Sequence, residues 1–206
     1  MSTVGNWRGP DIVKNGLVLY LDPGSPNSYF DKNSTNIKDI SGNNYSGSLV
    51  NGPIYSSANG GTIVFDGTND YLITQTITSY KTLCFWINWV DTALTFEYLL
   101  DARPGMNSGW FIPSASSQGS DWSSTFYVNG VSKTGCNVTN VPPNVWLYIC
   151  LQGVNASYTS TINFMSRFTN NENGVGTIGS IQIYNRALLE TEILQNFNAQ
   201  RSRYGI

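Results

Sequence analysis

The C-terminal run Ile178-Gly-Ser-Ile-Gln-Ile-Tyr-Asn-Arg-Ala-Leu188 joins a strand-like segment to a short amphipathic helix, and so fixes how the chain closes. Ile181 and Ile183 alternate with Gln182 and Tyr184, the period of a strand with two unlike faces. After the Asn185-Arg186 break, Leu189, Ile193 and Phe197 recur every four residues and form one stripe of a helix. Glu190 and Glu192 stand at its start, where the helix dipole favours acidic side chains. Glu192 occupies the glutamate place of a capping box, but Leu189 stands where Ser or Thr is usual, so the box is incomplete.

Upstream, the punctuation is that of a β-sandwich. Strands are expected at 17–21, 48–50, 62–65, 71–74, 81–89, 98–101, 109–112, 126–128, 146–152, 161–165 and 179–184, with Gly, Asn, Ser and Pro clustered between them. Asn129-Gly130 after Phe126-Tyr-Val is a hairpin signal, because a type I′ turn needs two residues of positive φ. Segments 81–89 and 146–152 are apolar on both alternate sets, which predicts central strands covered on both faces.

The strand, Tyr-Asn-Arg-Ala-Leu and helix motif resembles the end of the concanavalin A-like, laminin G-like jelly roll. Gly16-Leu-Val-Leu-Tyr-Leu-Asp-Pro23, Asp39-Ile-Ser-Gly-Asn-Asn44 and Gly60-Gly-Thr-Ile-Val-Phe-Asp-Gly-Thr-Asn-Asp-Tyr71 resemble earlier segments of the same domains. With the Trp-Arg-Gly-Pro start at residues 7–10, the ensemble is most similar to laminin G-like structural proteins of tailed bacteriophages. The resemblance implies an all-β sandwich of two antiparallel sheets with one short C-terminal helix. It further implies a virion surface protein, a capsid decoration or fibre-like module, that contacts other virion proteins and assembles as a homo-oligomer, trimer before dimer. An arm over residues 1–15 and a domain over 16–206 are expected. Trp7, Arg8 and Pro10 are the candidate docking residues of that arm, set against the plain reading of a frayed terminus.

Composition removes several functions. Charged residues are only 12% of the 206, the net charge is -2, and basic runs are lacking, which argues against nucleic acid as a partner. No segment approaches the 18 apolar residues of a membrane span, and Met1-Ser-Thr-Val-Gly-Asn lacks signal-peptide features, so synthesis in a host cytoplasm is expected. The three cysteines, Cys84, Cys136 and Cys150, have no metal-ligand spacing; Cys84 and Cys150 sit in strand-like runs where a buried thiol behaves as a small hydrophobe.

Catalytic patterns are equally sparse. The chain has no histidine, which closes the common nucleophilic triads and zinc centres. Its glutamates are Glu97, Glu172, Glu190 and Glu192, and none forms the paired-carboxylate pattern of jelly-roll glycosidases, so no enzyme is expected. No cofactor is expected either. A calcium loop is conceivable at Asp66-Gly-Thr-Asn-Asp70 with Asp22 nearby, but the same residues suit a turn between strands, and no metal ligand is assigned.

The second functional reading is a carbohydrate-binding adhesin. Met106-Asn-Ser-Gly-Trp-Phe-Ile112 and Ser116-Ser-Gln-Gly-Ser-Asp-Trp-Ser123 combine Trp110, Asp121 and Trp122 with neutral hydrogen-bonding side chains, a mixture that suits a host glycan. The competing reading places both tryptophans in the core. An open aromatic groove favours the adhesin; closed loops favour the decoration protein.

Overall fold

The computed structural model describes residues 10–93, 96–169 and 172–206; Trp7 and Arg8 lie outside the described residues. In chain order the strands begin with β1 (Leu17–Leu21), β2 (Asn36–Lys38), β3 (Ser46–Val50), β4 (Ile54–Ser56), β5 (Thr62–Asp66) and β6 (Tyr71–Thr74). Next come β7 (Ile77–Tyr80), β8 (Thr82–Val90), β9 (Leu100–Asp101), β10 (Trp110–Ile112), β11 (Ser117–Gln118) and β12 (Thr125–Val128). The last are β13 (Val131–Thr134), β14 (Leu147–Gln152), β15 (Tyr158–Ser160), β16 (Asn163–Phe164) and β17 (Val175–Tyr184), followed by the helix α1 (Glu190–Gln200) and a 3-10 turn, Arg201–Tyr204.

The strands form two large antiparallel sheets, the sandwich that the motif implied, and β7 pairs with β15 in a separate two-stranded sheet. The larger has eight strands in the order β13-β12-β14-β8-β17-β5-β4, with β1 also paired to β17; the smaller has seven, β11-β10-β9-β16-β6-β3-β2. β8 and β14 are central, as their apolar runs predict. Leu83, Phe85, Ile87 and Trp89 of β8 and Leu147, Ile149 and Leu151 of β14 enter the core between the sheets. Cys84 and Trp86 of β8, with Tyr148 and Cys150 of β14, face the other way and are buried under α1. Trp86 stacks on Tyr204 at 4.1 Å between ring centroids and on Phe197 at 5.7 Å.

β17 serves both layers by changing parity. Its first half pairs with β5 and its second half with β1, and the register along β8 shifts between Ile178 and Ile181. This bulge lets Ile178 and Ile181 both face the inter-sheet core although they are three positions apart. Gly179 is required there, since a Cβ would lie 2.1 Å from the Tyr204 hydroxyl. Asn129 and Gly130 have φ of 53° and 78°, and Val128 pairs with Val131, so the expected hairpin forms.

One local expectation changes. Leu189 is 66% exposed rather than part of the buried stripe, because it is the extended N-cap; Ile193, Asn196, Phe197 and Gln200 make the buried face. Half of a capping box forms: the Leu189 N–H donates to Glu192 Oε2 at 2.9 Å, whereas the leucine side chain has no acceptor to return. Ahead of β1, the segment 11–15 packs on the domain. Val13 is buried, its N–H donates to Asn196 Oδ1 at 2.7 Å, and its carbonyl accepts from the Tyr184 hydroxyl at 3.0 Å. The segment before β1 is thus tied to α1 from Asp11 onward, where the Asp11 carbonyl accepts from Gln195. Pro10 is exposed just before that anchor.

Candidate functional site

The loop 116–124 is folded between two others by its backbone. Gly119 N–H donates to the Trp110 carbonyl, Asp121 N–H to that of Ser108, and Ser123 N–H to that of Gln152, at 2.9, 3.2 and 2.7 Å. Val154 N–H returns to the Asp121 carbonyl at 2.9 Å, and Trp122 bridges Gly153. Gly119 and Gly153 allow this crowding: a Cβ on Gly119 would lie 1.8 Å from the Ser108 carbonyl oxygen, and one on Gly153 would lie 2.3 Å from the Tyr158 ring.

These loops border an open cavity of about 530 Å³ lined by Ser116, Gln118, Gly119, Ser120, Trp122, Ser124, Gly135, Cys136 and Val154. None of its lining residues is charged. Ser116, Ser120 and Ser124 are exposed, and Gln118 spans the wall by donating to the Ser123 carbonyl at 2.6 Å. The volume lies within the roughly 300–1,000 Å³ of small-molecule sites. Cys136 is 5% exposed, and burial pushes its thiol up to about 12, so it is an inert part of the wall.

Each of the three loop residues, Trp110, Asp121 and Trp122, has a definite place. Trp122 lines this cavity but is only 2% exposed and belongs to the inter-sheet core, which corrects its reading as an exposed stacking platform. Its chain position explains this: the bridge to Gly153 points it inward between the sheets. Its Nε1 is buried without a hydrogen-bond partner in the protein. Asp121 is a tether rather than a free acceptor, since Oδ2 accepts from Ser108 N–H at 2.7 Å and Oδ1 faces the Tyr158 hydroxyl at 3.4 Å. Trp110 is half-buried, its Nε1 donates to Ser117 Oγ at 2.9 Å, and it is not among the residues that line the cavity.

Sequence reasoning missed what covers Trp110. The Arg103 guanidinium sits 5.2 Å from the Trp110 ring, 5.4 Å from Tyr98 and 4.8 Å from Phe168, and pairs at 2.6 Å with the fully buried Asp101. Phe168 comes from a distant loop and no local spacing announces it. Two further concavities exist. One, of about 560 Å³, lies where Pro10, Asp11 and Lys14 meet Tyr20, Ile40 and Gln200; the other, of about 320 Å³, lies at Tyr29, Lys32 and Tyr55. The first is larger, but part of its wall is the segment 10–14, whereas the loop cavity is open and bordered by loops hydrogen-bonded to β10 and β14. Lys32 Nζ spans the rings of Tyr29 and Tyr55 at 4.9 and 4.6 Å and so occupies the aromatic part of the second.

The acidic candidates are all engaged. Asp66 Oδ1 accepts from Thr68 N–H at 2.7 Å, both Asp70 oxygens accept from Asp66 N–H, and Asp22 pairs with Arg203 at 2.7 Å. The loop therefore uses its carboxylates as a turn does, and among the described residues no group of three or more His, Cys, Asp or Glu is placed to hold a metal ion. Glu97 is 1% exposed, and its Oε1 accepts from both the N–H and the hydroxyl of Thr92.

No family model matches the chain, and no curated protein matches it. Solved structures do. The botulinum neurotoxin serotype D ligand binding domain, solved with N-acetylneuraminic acid, is similar at 14% identity and a TM-score of 0.57, over 91% of this chain and 52% of that one. The chain thus spans about half of that domain. Domain 4 of AbnA, a GH43 extracellular arabinanase from Geobacillus stearothermophilus solved with arabinotriose, gives 14% identity and 0.54, over 88% and 98%. A Trypanosoma rangeli sialidase, solved with the inhibitor DANA, gives 16% and 0.56, over 93% and 34%. At these identities the likeness establishes the fold: an all-β jelly-roll sandwich with one short C-terminal helix.

Proposed function

We propose that this chain is a non-catalytic glycan-binding domain whose loop cavity at Ser116–Ser124 receives a neutral sugar. The observation that carries this reading is the uncharged, hydroxyl-rich lining of a cavity held rigid by sheet-anchored loops. Serine hydroxyls and the Gln118 amide supply donors and acceptors without the cost of desolvating an ion. The unpartnered Trp122 Nε1 adds a buried donor that lacks an acceptor within the protein. Solved neighbours with N-acetylneuraminic acid or arabinotriose bound support the class, and the match to the arabinotriose-bound domain covers 98% of that chain. A carboxylated sugar fits less well, because no cationic side chain lines the cavity.

The placement we propose for this domain is the surface of a tailed-phage virion, as a decoration or fibre-like module that contacts host glycans and other virion proteins in a homo-oligomer. That part rests on the sequence resemblance. Hydrolysis is not proposed: it needs two carboxyl groups flanking the bond, and no acidic residue lines the cavity. A glycan array probed with the labelled chain tests the class. Retention on neutral glycans supports it; binding to none, or sustained release of reducing ends from a bound polysaccharide, contradicts it.

A further inference from the structure

We propose that Cys84 and Cys150 form a disulfide that crosslinks β8 to β14 beneath α1. The two residues are directly opposed on antiparallel neighbours, a placement whose Cα separation a disulfide spans without backbone movement. Their sulfurs lie 2.6 Å apart, about 0.5 Å beyond a covalent S–S bond. Both are fully buried in the cluster under the helix, with Trp86, Tyr148 and Tyr184 around them. Cys136 belongs to the other cluster, between the sheets, so the pairing is unambiguous.

The chemistry is thiol–disulfide exchange with a small-molecule disulfide such as oxidised glutathione. One cysteine thiolate attacks it and expels one glutathione thiolate, giving a mixed disulfide. The second cysteine thiolate then attacks the protein sulfur and expels the other glutathione. The protein loses two electrons and two protons, and the oxidant is reduced to two thiols. Exchange needs an accessible thiolate, so the bond forms before α1 docks on the sheet and is shielded afterwards.

Refolding the full chain in a glutathione redox buffer, then denaturing it and alkylating with N-ethylmaleimide, reads the bond by intact mass. One label, mapped to Cys136, is expected. Three labels overturn the proposal, as does a bond mapped to Cys136. Cys84→Ala and Cys150→Ala should each carry two labels, and because alkylation is done on denatured chains this count does not depend on the variants folding. Dithiothreitol should leave the native oxidised chain intact and cleave it in denaturant; equal rates in both would overturn the shielding under α1.

Discussion

Arg186 and Glu192 meet as two forks: Nη1 donates to Oε2 and Nη2 to Oε1, each at 2.7 Å. The pair locks the turn after β17 to the first turn of α1, while Glu192 Oε2 also accepts the Leu189 N–H. The side-chain oxygen that Leu189 lacks is replaced by its own carbonyl, which accepts the Glu192 N–H at 3.0 Å. Arg186 additionally donates to the Asn15 carbonyl, which ties the entry of β1 to the same knot.

This arrangement predicts an acid dependence. The Arg186 guanidinium first, and the Leu189 N–H next, hold the Glu192 carboxyl down from 4.5 to about 2. A depressed carboxyl stabilises the fold above its unfolded value and loses that contribution as pH falls through the folded one. Glu192→Gln should accordingly melt below wild type at neutral pH, by about 1 kcal/mol given the partial exposure of the pair. The gap should close between roughly pH 4.5 and 2. Melting curves at several pH values check this.

Trp122→Ala should cost about 3 to 5 kcal/mol in urea unfolding, the usual range for deleting a buried aromatic. Trp110→Ala should cost less, because its ring is half-buried at the sheet surface under Arg103. Equal losses would show that the two rings contribute alike.

Deleting residues 1–15 should lower the unfolding midpoint by the equivalent of about 2 to 4 kcal/mol. The deletion removes the burial of Val13, its hydrogen bonds to Asn196 and Tyr184, and those from Gln195 and Arg186 to the Asp11 and Asn15 carbonyls. A truncation that ends at Pro10 keeps all of these contacts and should lose less. Urea titration of both variants separates the anchored segment from what precedes it.

Gly179→Ala should destabilise by about 1 to 3 kcal/mol in urea unfolding, as overpacking does, because its Cβ would overlap the Tyr204 hydroxyl. Tyr204→Phe in the same background should not rescue it, because ring carbons remain 2.7 and 2.8 Å from that Cβ and the buried Ser180 N–H loses its acceptor.

The two-sheet fold and its central strands were legible in the chain because β8 and β14 are long enough to show apolar residues on both alternate sets. β2, β4 and β15 are three residues each and carry mixed polar faces, too short to display a period. The loop cavity was legible in part: the segment Ser116–Ser123 contributes Ser116, Gln118, Gly119, Ser120 and Trp122 to its lining, but the orientation of Trp122 depends on its pairing with Gly153, which no local pattern reports. Gly135, Cys136 and Val154 reach the cavity from elsewhere in the chain and carried no signal. The same holds for Arg103 and its ring of Tyr98, Trp110 and Phe168, assembled across loops.

The most direct measurement is titration calorimetry of a neutral array hit against wild type and Ser124→Trp, a substitution at an exposed cavity residue that fills the space and leaves the core untouched. Occupancy of the loop cavity predicts at least tenfold weaker binding, about 1.4 kcal/mol or more, with an unchanged melting temperature. Undiminished binding by the Ser124→Trp chain would contradict the assignment of the site.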